Sequence, residues 1–133
     1  MRVAYEFASW SKAEKLKVGS IITDPNGERI VSIGYNGMPA GWDNCCEDVV
    51  DGEMITRPEV LHAEANAIAK LARTTESGQD AMIFVTHAPC MSCAKMIYQA
   101  GIQKVYYAEE YRSTDGVDFL HDCLIHVEKI DLK

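Results

Sequence analysis

Two short segments, His62-Ala63-Glu64 and Pro89-Cys90-Met91-Ser92-Cys93, constrain this chain more than anything else in it. One imidazole and two thiolates are three zinc ligands, a set that leaves the fourth tetrahedral position for water. A fold that uses them together must bring the start of one segment against the start of the other. Cys90 and Cys93 stand three apart, so both sulfurs fall on one face of a helical turn. A helix N-terminus carries partial positive charge and favours the thiolates that zinc needs. Pro89 fits just before such a helix, where its missing N–H costs nothing. We therefore read His62, Cys90 and Cys93 as metal ligands, Zn2+ as the cofactor and Glu64 as the catalytic proton carrier. Spacing alone leaves open a structural zinc or a coincidental C-x-x-C, although a closed site needs a fourth ligand at a usual spacing.

A chain of 133 residues fits one domain, here residues 1–133, with 47% hydrophobic and 25% charged residues as in ordinary globular proteins. The N-terminal stretch holds Arg2 and Glu6 and no long apolar run, so neither a signal peptide nor a membrane span is expected. Five cysteines without a secretory signal read as metal binding in a reducing cytoplasm rather than as disulfides. The net charge of −7, with 13 basic residues scattered among 20 acidic ones, argues against a nucleic-acid partner and for a small nucleotide.

The apolar spacing predicts a helix over residues 3–16 with Ala4, Phe7, Ala8 and Ser11 inward. Val18–Ile22 and Ile30–Tyr35 read as strands joined at Asp24-Pro25-Asn26-Gly27, a hairpin. Residues 36–58 read as a long functional loop. The Ala-rich run from His62 to Arg73 is a helix, Met82–Val85 a central strand buried on both faces, and a second helix runs from Cys90 or Met91 to Gly101. A strand at Lys104–Ala108, a helix over 115–123 and a strand at Ile125–Ile130 complete the order. This alternation implies a three-layer α-β-α sandwich around a mixed sheet of roughly five strands.

The signature H-x-E…P-C-x-x-C, together with Gly34-Tyr35-Asn36-Gly37-Met38-Pro39, Leu61–Ile68 and Ala94-Lys95-Met96-Ile97, resembles the cytidine deaminase-like superfamily, and more closely its deoxycytidylate deaminases. The resemblance covers roughly Val18 to Lys129 and implies that family's fold. It implies zinc on His62, Cys90 and Cys93, an activated water attacking C4 of cytosine, and Glu64 moving a proton from the water to N3 and then to the departing ammonia. For the substrate it implies Asn36 on the deoxyribose 3′-OH, the Ala63 N–H on the pyrimidine O2, a carbonyl near Ala88 on the exocyclic amine, and Tyr111 with Arg112 on the phosphate. It further implies hydrolysis of dCMP to dUMP, a homo-oligomer (often a hexamer), and regulation by dCTP as activator and dTTP as inhibitor. The effector run is then Gly34, Tyr35, Asn36 and Gly37, whose backbone amides approach the triphosphate, with Mg2+ accompanying it.

The residues themselves keep blander readings beside these. Asn36-Gly37 also suits a strand-ending turn, and Arg112 a plain surface charge. Lys15 and Lys17 read as solvated and Cys123 as a core residue; Cys45, Cys46 and His87 are candidates for the second, structural zinc of some family members, although no four ligands assemble at a convincing spacing. Other cytosine or guanine nucleosides and nucleotides remain alternative substrates, and a silent zinc-stabilised nucleotide sensor remains an alternative class. Retention of Glu64 speaks against the sensor, which has no use for a proton carrier.

Overall fold

The computed structural model describes residues 1–132, so the last residue of the domain expected over 1–133 lies outside the described ones. The elements run α1 (Arg2–Ala8), β1 (Gly19–Thr23), β2 (Ile30–Tyr35), β3 (Glu47–Val50), β4 (Glu53–Thr56), α2 (Ala63–Leu71), β5 (Met82–His87), α3 (Met91–Gln99), β6 (Lys104–Glu109), α4 (Asp115–Asp122) and β7 (His126–Lys129). Five strands form one mixed sheet in the order β2-β1-β5-β6-β7, antiparallel on the hairpin side and parallel from β5 to β7. The hairpin closes as its turn chemistry requires. Asp24 accepts the amides of Glu28 (2.8 Å) and Arg29 (3.3 Å) on its carboxylate, and Gly27 takes the positive φ of 71°.

One face of the sheet carries α2, α3 and α4 over a core of Ile22, Ile83 and Val105 with Ala67, Ile97 and Leu120. On the other, α1 lays Ala4 and Ala8 against β1. The three layers are thus unequal. Consequently β5 is fully buried at Ile83 and Val85 but only partly at Met82 and Phe84, against the expectation of burial on both faces. On this thinly covered side Phe84 stacks on Tyr106 with ring centroids 4.9 Å apart.

The first expected helix is halved, because α1 ends at Ala8 instead of residue 16. Ser11 leaves the helical path to donate to the Asn36 carbonyl (2.7 Å) and accept the Ala13 amide (3.2 Å). The expected loop 36–58 contains the exposed hairpin β3–β4. Its turn is Asp51-Gly52, with φ of 51° and 78°, the positive pair that a two-residue hairpin loop demands. Among the described residues no helix is long and apolar enough to cross a membrane.

Two close contacts aim the helices at one place. A Cβ on Gly34 of β2 would stand 2.2 Å from the Ala63 carbonyl and 2.6 Å from the Ala67 amide, so only glycine lets α2 lie this close. Ser20 and Ser32 then donate to the carbonyls of Ala63 (2.9 Å) and Ala67 (2.7 Å), pinning the helix to the sheet. Likewise Gly116 of α4 presses on Pro89 and Cys90, with a virtual Cβ 2.1 Å from the Pro89 carbonyl.

Gly34→Ala should therefore lower the melting temperature by several degrees, because overpacking a tight contact costs about 1–3 kcal/mol. Gly37→Ala, where an added Cβ meets nothing within 4 Å, should melt close to wild type in the same thermal scan.

Candidate active site

Two helix starts meet at the edge where β5 and β6 end. His62 caps α2 and Cys90 caps α3, both in extended backbone conformation. The His62 Nδ1 lies 3.4 Å from the Cys90 Sγ and 3.5 Å from the Cys93 Sγ, and all three donor atoms lie within 4.8 Å of one another. With zinc–nitrogen and zinc–sulfur bonds of about 2.05 and 2.3 Å, a tetrahedral N···S edge is about 3.5 Å. The donor set and its spacing thus fit a zinc ion. Two thiols this close compete for charge. Hydrogen bonds from Cys93 and His62 push Cys90 down to about 3, while the same contact and burial push Cys93 up. A divalent cation between them stabilises both as thiolates.

Glu64 stands in the first turn of α2 and is buried. Burial pushes its carboxyl up to about 7, against the opposing pull of its own backbone amide and of His62. A buried carboxyl with its pKa in this range can take up and release a proton near neutral pH.

His62, Glu64 and Cys90 line a cleft of about 730 Å³ that also takes in Asn36, Ala63, Ala88, Tyr111 and Arg112. All the substrate-contact candidates therefore share one cavity. The Ala63 N–H, in the first turn of α2, has no acceptor within its own helix. Arg112 lies over the Tyr111 ring, 5.4 Å from its centroid. Asn36 ties the segment over residues 11–18 to the end of β2. Its Oδ1 accepts the Val18 amide (2.8 Å), its Nδ2 donates to the Leu16 carbonyl (2.7 Å) and its own amide donates to the Val18 carbonyl (3.1 Å). Each carboxamide end keeps capacity for one more hydrogen bond. Lys15, read from sequence as solvated, lines the same cleft. The only signal for it was position, three residues before Val18.

The run Gly34-Tyr35-Asn36-Gly37 divides differently. Gly34 is buried under α2, and the Gly37 N–H is spent on the Leu61 carbonyl (3.1 Å). Gly34 thus serves helix packing, while Tyr35, Asn36 and Gly37 all line a second cavity. This cavity, of about 340 Å³, is also lined by Trp10, Trp42, Lys12 and Lys70, with the Lys70 Nζ 5.3 Å from the Tyr35 ring centroid. Asn36 is shared by both cavities. Asp43, Asp48 and Glu59 in the loop gather on Arg57 at 3.3, 3.8 and 4.0 Å. Among the described residues His62, Cys90 and Cys93 are the one cluster with metal-site geometry, so Cys45, Cys46 and His87 form no second site.

Residues 1–109 match the family model of the cytidine and deoxycytidylate deaminase zinc-binding region. The chain is 34% identical to the deoxycytidylate deaminase of Enterobacteria phage T4, over 84% of this chain and 76% of that protein. It is 38% identical to the human deoxycytidylate deaminase, over 86% of this chain and 66% of that protein. In structure it resembles the dCMP deaminase of cyanophage S-TIM5 crystallised with dCMP and dUMP. The TM-score is 0.89 at 46% identity, covering 97% of this chain and 92% of that one.

The cluster makes a direct prediction about metal content. Purified protein should carry one zinc per chain by elemental analysis, His62→Ala or Cys93→Ala should lose it, and Glu64→Ala should keep it.

Proposed function

The chain belongs to the cytidine and deoxycytidylate deaminase family, and from that premise we propose that it hydrolyses dCMP to dUMP and ammonia. The observation that carries this reading is a buried Glu64 carboxyl beside the His62–Cys90–Cys93 cluster at the floor of a nucleotide-sized cleft. His62, Cys90 and Cys93 hold the zinc, which when bound supplies a Lewis acid that makes a water nucleophilic near neutral pH. Glu64 takes the proton from the attacking water and gives it to N3 of the ring. The carboxylate then takes the proton of the new C4 hydroxyl and passes it to the exocyclic nitrogen, which leaves as ammonia as the C4 carbonyl forms, so one group serves as base and acid in turn. The Ala63 N–H holds the pyrimidine O2, the Ala88 region accepts from the amine, and Asn36 contacts the 3′-OH. Arg112, Tyr111 and Lys15 bind the 5′-phosphate through charge-assisted hydrogen bonds.

Regulation by dCTP and dTTP is proposed for the second cavity. Trp10, Tyr35 and Trp42 offer surfaces for a base, and Lys12 and Lys70 offer charge for phosphates, with Mg2+ arriving on the triphosphate. Asn36, common to both cavities, is the coupling residue, and Gly37 lines the second cavity beside it. We also propose a homo-oligomer, because the β3–β4 hairpin exposes Val49, Val50, Met54 and Ile55 beside the cleft.

Ammonia release should be clear with dCMP and weak with deoxycytidine. Glu64→Ala should lower kcat by about 10²–10⁴-fold or more with zinc retained. Arg112→Ala should shrink the preference for dCMP over deoxycytidine by about tenfold. Near-normal turnover by Glu64→Ala would reject the mechanism.

Initial rates against dCMP should be sigmoidal, made hyperbolic by dCTP and steeper by dTTP, with Asn36 substitutions blunting both. An effector can do this only by binding two conformations unequally. Hyperbolic kinetics indifferent to both triphosphates across a range of magnesium concentrations would leave an unregulated deaminase.

A further inference from the structure

Carboxylates beside the cations of a phosphate-binding cleft are a hazard, and this cleft has several. Apart from Glu64 it is lined by Glu47, Glu109 and Glu110, against Lys15 and Arg112 as its lysine and arginine. A carboxylate free to swing onto either cation competes with a phosphate for the same donors and repels it besides. None of the three is free. The Glu47 Oε2 accepts the backbone amides of Glu14 (3.0 Å) and Lys15 (3.2 Å). The Glu110 Oε1 pairs with the Lys129 Nζ at 3.4 Å. The Glu109 Oε2 accepts the Tyr5 hydroxyl at 2.6 Å and faces the His87 Nε2 at 3.4 Å. Among the described residues neither Lys15 nor Arg112 forms an ion pair.

The Glu109 arrangement is the most elaborate. The Thr86 hydroxyl accepts the Gly19 amide (3.2 Å) and stands 2.9 Å from the His87 Nδ1. With that nitrogen accepting the Thr86 proton, the His87 Nε2–H points to Glu109. Burial lowers the His87 pKa, which favours this neutral ring. Tyr5 comes from the opposite end of the chain, carried to the cleft by α1 seated on β1. Burial and Glu109 itself push its phenol up to about 12, so it remains a donor.

We infer that Tyr5 is a positioning residue for phosphate recognition: with His87 it holds Glu109 away from Arg112 and Lys15, and Lys129 and the 14–15 amides do the same for Glu110 and Glu47. The inference rests on the proposed phosphate-binding reading of the cleft and adds to it the residues that keep its cations available.

Tyr5→Phe removes one hydroxyl and keeps the ring, which makes it the informative variant. In zinc-loaded protein it should raise the KM for dCMP about threefold or more, the scale of one new exposed ion pair competing for Arg112. The kcat for dCMP and the kcat/KM for deoxycytidine should stay near wild type. The double variant Tyr5→Phe/Glu109→Gln should return KM toward wild type, because the competing charge is gone. A merely structural role for Tyr5 in seating α1 predicts no such rescue. Calorimetric binding of dUMP and deoxyuridine to the same proteins tests the point without turnover. A wild type that does not prefer dUMP overturns the phosphate reading and this inference together. A wild type that prefers dUMP, with Tyr5→Phe unchanged or unrescued by Glu109→Gln, overturns this inference alone.

Discussion

The site depends on how closely two helices can approach their neighbours. Three donor atoms within 4.8 Å must come from α2 and α3, whose starts are far apart in sequence. Gly34 gives up its side chain so that the Ala63–Ala67 stretch can lie on β2, and Ser20 and Ser32 lock that contact through helix carbonyls. Gly116 does the same where α4 meets Pro89 and Cys90. Because packed interiors resist small displacements, these contacts hold the starts of α2 and α3 in place, and with them His62 and the cysteines. The ligand set is therefore a product of helix–sheet and helix–helix packing as much as of ligand chemistry.

Burial and exposure then divide the labour of the acidic groups. Glu64, enclosed beside the cluster, has its carboxyl pushed up by burial to about 7, which suits the proton transfer proposed for it. The carboxylates higher in the cleft are each tied to a donor outside it. A chain of net charge −7 can thus present Lys15 and Arg112 to an anion without changing its overall acidity. Local arrangement, rather than net charge, decides what the cleft attracts.

Asn36 shows how one residue can belong to both a fold and a site. Its backbone and carboxamide hold the segment over residues 11–18 against β2, and the same residue lines both cavities. The partners in these hydrogen bonds include Leu16 and Val18, which themselves line the larger cavity. The coupling proposed between the two cavities runs through Asn36, with Gly37 beside it in the second.

Much of this was legible in the sequence because it is local or chemically specific. Alanine-rich and apolar patterns set α2, α3 and the strands β1, β2, β5 and β6, and turn chemistry set the first hairpin. The Asp51-Gly52 turn carried its own signal, but Val49-Val50 and Met54-Ile55 beside it do not alternate with polar residues, so nothing marked the two short strands. That His62, Cys90 and Cys93 would gather with Glu64 beside them was legible because few residue types suit a metal cluster with a carboxyl next to it. The sequence alone did not determine the end of α1, since Ser11 leaves its helix for a partner 25 residues away. Nor did it reveal the partnership of Tyr5 with Glu109, 104 residues apart, the place of Lys15 in the cleft, or the packing role of Gly34. Periodicity and motif spacing report short-range preferences and ligand chemistry. Which distant side chains meet is decided only when the helices close on the sheet, because hydrogen bonds and ion pairs act over a few ångströms that chain separation does not encode.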